Sequence, residues 1–372
     1  MASDHASTVL LTGYPSFLAR RMAEQILARE PDTMLYCVVR SKLAPLAQEL
    51  AMTLPASRRN RLVMMEGDAA SMDMGLSGAE FHEVSSRIDR IFHFAQFSYI
   101  DADPKMAKHA NVHGAREALE MARAAPRLTQ LVCMSSATVA SASGLVRETD
   151  PPKDPPYRTV IEDTLAHAER IYGRAAHQIP LTVLRPSTII GDSDTGEIDR
   201  LDGPYPLILL LLTSSRKSAV PLPIRGDVPL NLVPVDFVIR AAHVIGSSPS
   251  AAGKTFHIVD PAPLSTRRVF ELVAHAAGRR SPRGAVPSYV ARSMLRAPGV
   301  ERFVKSPRAF LEVLTTDARF DATNTTEILR GTGVVCPPFE SYVDRIVSYV
   351  QARIRERRKN DADAQLADDP LL

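Results

Sequence analysis

An early run of small residues, Leu11-Thr12-Gly13-Tyr14-Pro15-Ser16-Phe17-Leu18-Ala19-Arg20, separates a short apolar stretch from an amphipathic one. Such a strand–turn–helix lets backbone N–H groups and a helix N-terminus approach a diphosphate. Gly13 supplies the tight turn. Ser16 stands where a second glycine would normally let the phosphate close, and Ala19 fills the third, packing position. By itself the pattern also fits a plain strand–turn–helix. Two later strand ends extend it. Val38-Val39-Arg40-Ser41-Lys42 carries an arginine where an acid would hold an adenosine ribose 2′-hydroxyl. Arg40, with Lys42 or Arg20 assisting, suits a 2′-phosphate and so favours NADP(H) over NAD(H); a solvated basic strand end is the plainer alternative. Glu66-Gly67-Asp68 offers a carboxylate to an adenine amino group or, equally, a helix N-cap.

The elements that must position these residues are legible from periodicity. Buried apolar runs at 8–12, 34–40, 62–66, 90–94, 130–135 and 181–186 read as parallel strands. Amphipathic segments at 17–29, 43–54, 78–86, 105–125 and 157–177 read as helices. This alternation predicts an α/β fold, a Rossmann-like doubly wound parallel sheet with a smaller, mostly helical C-terminal lobe. The nucleotide domain is expected over 1–191 and the lobe over 192–359, with 231–260 returning to the sheet and 360–372 as a disordered tail. Pro204, Pro206, Pro221, Pro223, Pro229 and Pro234 exclude one long helix after Gly191. Helices are expected at 235–247, 265–278 and 341–359, a strand at 254–259, and a basic helical stretch up to about 316.

Composition narrows the function classes. The 372 residues are 45% hydrophobic and 23% charged, ordinary for a globular chain, and 45 bases against 42 acids leave a net charge of +3. That is too small to argue for nucleic acid. Cys37, Cys133 and Cys336 lie far apart, which supports neither a disulfide framework nor a metal site and suits a reducing compartment. No export signal is visible, and the longest apolar stretch, 207–212, is far below the roughly 20 residues of a membrane span. Cytoplasm is the expected location.

Several further motifs occur in a telling order: Ile91-Phe92-His93-Phe94-Ala95, Asn111-Val112-His113-Gly114, Ser135-Ser136-Ala137-Thr138-Val139, Leu184-Arg185-Pro186-Ser187, Gly191-Asp192-Ser193 and Val233-Pro234-Val235-Asp236. With Thr12-Gly13 and Phe17-Leu18 they make the chain resemble the extended short-chain dehydrogenase/reductase superfamily over about residues 8–350. The likeness is to its branch of fatty acyl-CoA reductases, thioester reductases and epimerase/dehydratase relatives. The resemblance implies a nicotinamide cofactor held by Thr12, Gly13, Ser16, Phe17, Leu18, Arg40, Asp68, Ala95, Pro186 and Ser187, with the run from Pro186 to Gly191 bordering the nicotinamide and substrate. It also implies a homodimer through the helices at 105–125 and 157–177.

Family chemistry moves a hydride between the nicotinamide and a carbonyl or alcohol carbon. A tyrosine handles the proton, a lysine four residues on lowers its pKa, and a serine or threonine orients the oxygen. The hydroxyl maps onto Ser136. The pair Ala168-Glu169, which normally follows the lysine by three and four residues, puts the lysine position at Leu165 and the tyrosine position at Ile161. Ile161 also lies 25 residues after Ser136, the family's usual interval. Neither side chain has a proton to transfer. Tyr157, one turn earlier beside Arg158, is the available substitute, although one turn is about 5.4 Å; His167 reads as a surface residue. Ile161, Leu165 and Ala168 share one helical face, expected beside Ser136, with Glu162, Asp163 and Glu169 pointing away.

In the lobe, Gly191 to Asp199 followed by Asp202-Gly203-Pro204-Tyr205 resembles the loop before the branch's substrate helix, or reads as a surface loop. Leu207 to Leu212, with Arg216 and Lys217, reads as buried core; an acyl pocket, a membrane surface or a protein partner are the alternatives. Two function classes follow. One is an NADP(H)-binding protein with a degenerate catalytic site and a regulatory or binding role. The other is an NADPH-dependent reductase of an acyl or other lipophilic carbonyl substrate with a non-standard proton donor.

Overall fold

The computed structural model describes residues 7–98, 102–140, 143–213, 227–282, 284 and 317–367. Seven strands form one parallel sheet: β1 (Thr8–Thr12), β2 (Met34–Val39), β3 (Leu62–Glu66), β4 (Arg90–His93), β5 (Gln130–Met134), β6 (Leu181–Pro186) and β7 (Thr255–Ile258). Their spatial order is β3-β2-β1-β4-β5-β6-β7, so the winding reverses between β1 and β4. The crevice at such a reversal is where doubly wound sheets bind ligands. All of β1, β5 and β6 is buried, as strands covered on both faces must be.

One face is covered by the helices Gly78–Arg87, Gly114–Ala124 and Val160–Ala175, whose Val84, Ala118, Leu119, Ala168 and Tyr172 pack on Leu10, Ile91, Leu131 and Val183. On the other face the helix Phe17–Arg29 buries Met22 and Ile26. The helix Val235–Gly246 packs so closely there that a Cβ at Gly246 would come within 2.4 Å of the Phe92 ring.

The chain divides into two compact units. The sheet unit comprises Met1–Ile189, Asp236–Pro261 and Thr316–Cys336; the second unit comprises Ile190–Val235, Ala262–Thr315 and Pro337–Leu372. The sheet unit is therefore assembled from three separate stretches of the chain, with Asp236–Pro261 and Thr316–Cys336 returning to it. Buried Glu148 staples the three segments of the sheet unit. It accepts hydrogen bonds from His257 N (2.8 Å), Asn324 N (2.6 Å), Thr325 N (3.2 Å) and Thr325 Oγ1 (2.8 Å). Burial nevertheless pushes its carboxyl above the ordinary range.

An ionic joint lies at the start of β4. Glu30, just past the first helix, pairs with Arg90 of β4, meets His243 Nε2 at 2.8 Å and accepts from Thr33 Oγ1 at 2.7 Å. Burial alone would raise this carboxyl. Hydrogen bonds from His243 and Arg90 outweigh burial and hold it at about 2, against an ordinary 4.5. A folded-state value below the unfolded one gives stability that is present above the unfolded value and lost as pH falls toward the folded one. Glu30→Gln is therefore expected to remove on the order of 3 kcal/mol at neutral pH. It should also flatten the decline of urea midpoints below about pH 5. Unchanged midpoints at neutral pH would count against this joint.

The second unit is helical. Its helix Tyr205–Thr213 buries every residue from Tyr205 to Leu212 and packs against the helices Thr266–Ala276 and Val343–Ala367. The leucine run is thus core, while Arg216, Lys217 and most of the stretch up to 316 lie outside the described residues. The last helix continues to Ala367, past the expected end at 359 and into the segment read as a tail. Among the described residues, no helix is long and apolar enough to cross a membrane.

Candidate functional site

The β1 end is locked to the β4 end by one hydroxyl. Thr12 Oγ1 accepts from Phe94 N (3.2 Å) and Ala95 N (3.1 Å) and lies 2.9 Å from His93 Nδ1. With two N–H donors on the oxygen, the threonine proton goes to Nδ1, so the His93 ring accepts there. Burial pushes His93 down to about 4, which keeps it neutral. Gly13 turns the chain against this lock at φ +93°. A Cβ there would lie 2.7 Å from Phe94 O and 2.8 Å from Ala95 N. Such a cradle lets backbone, and nothing larger, face a ligand at the start of the helix Phe17–Arg29. Ser16 is the residue before that helix. Its side chain is exposed and makes no capping bond. Phe17 is buried beneath the guanidinium groups of Arg20 and Arg21, 5.7 and 5.4 Å from its ring centre, and Leu18 is half-buried.

Arg40 follows β2 directly in extended conformation. Among the described residues neither the Arg40 nor the Lys42 side chain makes a hydrogen bond or ion pair, although the Arg40 carbonyl accepts from Leu43 N at 2.7 Å. Asp68 follows β3. It caps no helix: its Oδ1 accepts from Ala70 N at 3.0 Å, and its Oδ2 lies 4.0 Å from His109 Nε2. The N-cap alternative therefore gives way to a local turn that leaves the carboxylate partly exposed. Thr12, Arg40, Asp68, Ala95, Ser136 and Pro186 thus all stand at the C-terminal edge of the sheet, at or just past the ends of β1 to β6 in turn. Ser187 is fixed beside Pro186 by donating its N–H to Ile258 O at 3.1 Å.

The helix expected at 105–125 is not uniform. It begins at Pro104, and a π-helical turn at His109–His113 interrupts it. This turn aims the buried Asn111 amide at the loop after β4: Oδ1 accepts from Phe97 N at 2.8 Å, and Nδ2 donates to Phe97 O at 3.0 Å and Thr164 Oγ1 at 2.9 Å.

Ser136 Oγ lies 2.9 Å from Thr138 Oγ1 and accepts from Thr138 N at 3.3 Å, closing the short turn Ala137–Val139. Ile161 and Leu165 are 7% and 2% exposed. They form one apolar cluster with Val139, Ala140, Val146, Phe97 and Tyr157. The helix starts at Val160, not 157, because Pro155 and Pro156 precede it and Thr159 caps it by accepting from Glu162 N at 3.1 Å. Tyr157 is therefore in the loop ahead. Its hydroxyl donates to Lys153 O at 3.0 Å and accepts from Arg170 Nη1 at 2.6 Å. His167 is exposed.

One expectation for this helix fails. Of Glu162, Asp163 and Glu169, only Asp163 faces solvent. Glu162 is buried between Lys153 (3.0 Å) and Arg158 (2.6 Å), and Glu169 is buried against Arg185 and Ser135. Helical periodicity assigns acids outward, but paired cations invert that assignment. The signal in the sequence was the arginine of Leu184-Arg185-Pro186-Ser187, a charge inside an otherwise apolar strand.

The loop Gly191 to Glu197, in the second unit, winds around its own acid. Asp192 Oδ1 accepts from Asp194 N and Thr195 N at 2.9 and 3.0 Å, and Gly191 N donates to the buried Tyr205 hydroxyl at 2.9 Å.

A glycine cradle at a sheet reversal and a row of strand ends are what an NAD-binding family would require, and residues 11–242 match the family model described as Male sterility protein. The chain belongs to that NAD-binding family. It is an extended short-chain dehydrogenase/reductase, an NAD(P)-binding domain of the reductase type. It is similar to the Glycine betaine reductase ATRR of Emericella nidulans, 28% identical over 284 aligned positions, which take in 72% of this chain and 22% of that protein. It is similar to the Isonitrile lipopeptide synthase of Streptomyces coeruleorubidus, 27% identical over 380 aligned positions, which take in 93% of this chain and 25% of that protein. The chain therefore spans only a small part of these relatives. The terminal R domain from the myxalamid PKS-NRPS biosynthetic pathway shares the fold, with a TM-score of 0.80 at 24% identity, covering 94% of this chain and 92% of that one. The Rossmann-like sheet expected from the sequence is the fold of this Male sterility family member. Gly13, the Thr12 lock and unpartnered Arg40 all fit the nicotinamide nucleotide that the family implies.

Proposed function

We propose that this chain binds NADP(H) and has exchanged its proton relay for packing, so that it acts in a regulatory or binding role. The observation that carries the reading is the burial of Ile161 and Leu165 in one apolar cluster beside the Ser136 turn. Aliphatic groups there hold the helix in place and offer no proton. Ser136 could still orient a carbonyl oxygen.

The preference for NADP(H) over NAD(H) is supported by Arg40, with Lys42 or Arg20 assisting. A charge-assisted bond to a 2′-phosphate contributes roughly 1.5–3 kcal/mol, about ten- to a hundredfold in affinity. Calorimetric titration of the protein with NADPH and with NADH tests this. NADPH is expected to bind more tightly by that factor, and Arg40→Ala to abolish the difference. Equal affinities in the unaltered protein would rule the assignment out.

A second reading, a reductase of an acyl or other lipophilic carbonyl substrate, draws on Tyr157. Its phenol has a guanidinium on the hydroxyl and packs against the same cluster as Ile161 and Leu165. A relative named as a reductase, the Glycine betaine reductase ATRR, supports this reading of an acyl or other lipophilic carbonyl substrate. Under that reading Tyr157→Phe abolishes turnover; under ours it changes nothing measurable. The two helices that would form the homodimer expose charged residues such as Arg116, Arg123, Asp163 and Arg174, with Met106 a large apolar side chain exposed beside them. Three free cysteines, two of them buried, are consistent with a cytoplasmic location.

A further inference from the structure

Glu169 and Arg185 have no part in the nucleotide reading, yet both are buried charges, with 4% and 2% of their side chains exposed. Glu169 lies one turn past Leu165 on the helix Val160–Ala175, and Arg185 directly precedes Pro186 on β6. Arg185 Nε donates to both carboxylate oxygens at 3.0 and 3.1 Å, and Nη2 to Oε2 at 2.5 Å. The Ser135 hydroxyl donates to Oε1 of the same carboxylate. Arg185 Nη1 donates to Asp150 O at 2.9 Å.

An ion pair taken out of water returns little net stability, because desolvation offsets the Coulomb gain. What this pair does is fasten. It joins the strand end before Ser136, the helix bearing Ile161 and Leu165, the loop at Asp150 and the strand end leading into Pro186 and Ser187. The first, second and last of these are the segments that border the nicotinamide in the reading above. The adenine end depends on other groups, the Thr12–His93 lock and Arg40.

We infer that Glu169 and Arg185 are the positioning pair of the nicotinamide end of this site. They set the Ser136 turn, the 161/165 face and the Pro186–Ser187 strand end relative to one another. The inference rests on the proposed nucleotide binding, and its test has one arm that does not.

That arm is hydrogen–deuterium exchange without nucleotide. Arg185→Lys keeps the charge and removes the planar fork, and Glu169→Gln keeps the shape. Both are expected to lose protection together at 135–139, 148–158 and 186–189, with 12–20 unchanged. Should either variant fail to fold, Ser135→Ala removes one fastening alone and is expected to raise exchange only at 135–139. The other arm compares NADPH with 2′,5′-ADP, which lacks the nicotinamide. If the competent arrangement falls to about a tenth of the population, the Kd for NADPH rises about tenfold while that for 2′,5′-ADP stays the same. Uniform loss of protection, or equal weakening of both ligands, overturns the positioning role. Failure of the unaltered protein to bind either ligand overturns the nucleotide reading, while the exchange pattern still decides the positioning.

Discussion

The double variant Ile161→Tyr/Leu165→Lys is expected to reduce simple aldehydes with NADPH about 10²- to 10⁴-fold faster than the unaltered protein. That is the span a positioned general acid contributes. The two side chains would stand four residues apart on the face that packs against the Ser136 turn, so phenol, cation and hydroxyl would be on neighbouring elements. The same change should cost stability. Leu165 is 2% exposed among apolar neighbours, and an ammonium group placed there lacks a partner. Breaking charge balance in such a site costs roughly 3–5 kcal/mol, a large share of the 5–15 kcal/mol typical of a folded domain. Leu165→Lys alone should therefore show the lowered urea midpoint without the turnover. Absorbance at the reduced nicotinamide band measures the rate. If the unaltered protein is already as fast, and Tyr157→Phe stops it, the proton comes from Tyr157 and the packed-site reading is wrong.

Replacing Gly13 should be the most damaging single change at the nucleotide end. Its φ of +93° is a conformation that a side chain strains, and a Cβ would press on Phe94 O at 2.7 Å, a backbone atom that cannot swing aside. Gly13→Ala must move the turn or the β4 end, and either movement breaks the hydrogen bonds that Thr12 Oγ1 accepts from Phe94 and Ala95. Together these cost about 2–4 kcal/mol. NADPH affinity should fall with them by at least tenfold, whereas Arg40→Ala should lower affinity without lowering the thermal midpoint. A Gly13→Ala variant that melts and binds like the unaltered protein would remove the cradle from the site.

The strands of the sheet and the helix faces that cover it were legible because burial on both sides leaves near-continuous apolar runs, and amphipathic periodicity marks the helices between them. The placement of Arg40 at a strand end and of Ile161 and Leu165 on one helix face was legible because strand ends and helix spacing fix such positions locally. What stayed hidden depends on partners distant in sequence. Glu162 and Glu169 look like surface acids until Lys153, Arg158 and Arg185 fold onto them. The π-helical turn at His109–His113 leaves no pattern, since it is sustained by Asn111 reaching Phe97 and Thr164. The return at Thr316–Cys336 leaves little pattern either, because its strand is three residues long, Ala318–Phe320, too short for periodicity to register.

That late return imposes a timetable on the sheet unit. Glu148 must wait for Thr325, which is 177 residues further along. At ordinary ribosomal speeds this interval is roughly ten to thirty-five seconds. Once β7 has been made, all seven strands can pair, yet the carboxylate then holds one of its four donors, His257 N, and lacks the three supplied by Asn324 and Thr325. The nascent protein therefore carries an open seam along its β7 edge while the segment Ala262–Thr315 of the second unit is being made. A polypeptide cut between β7 and Thr316 would keep every strand of the sheet and never close that seam.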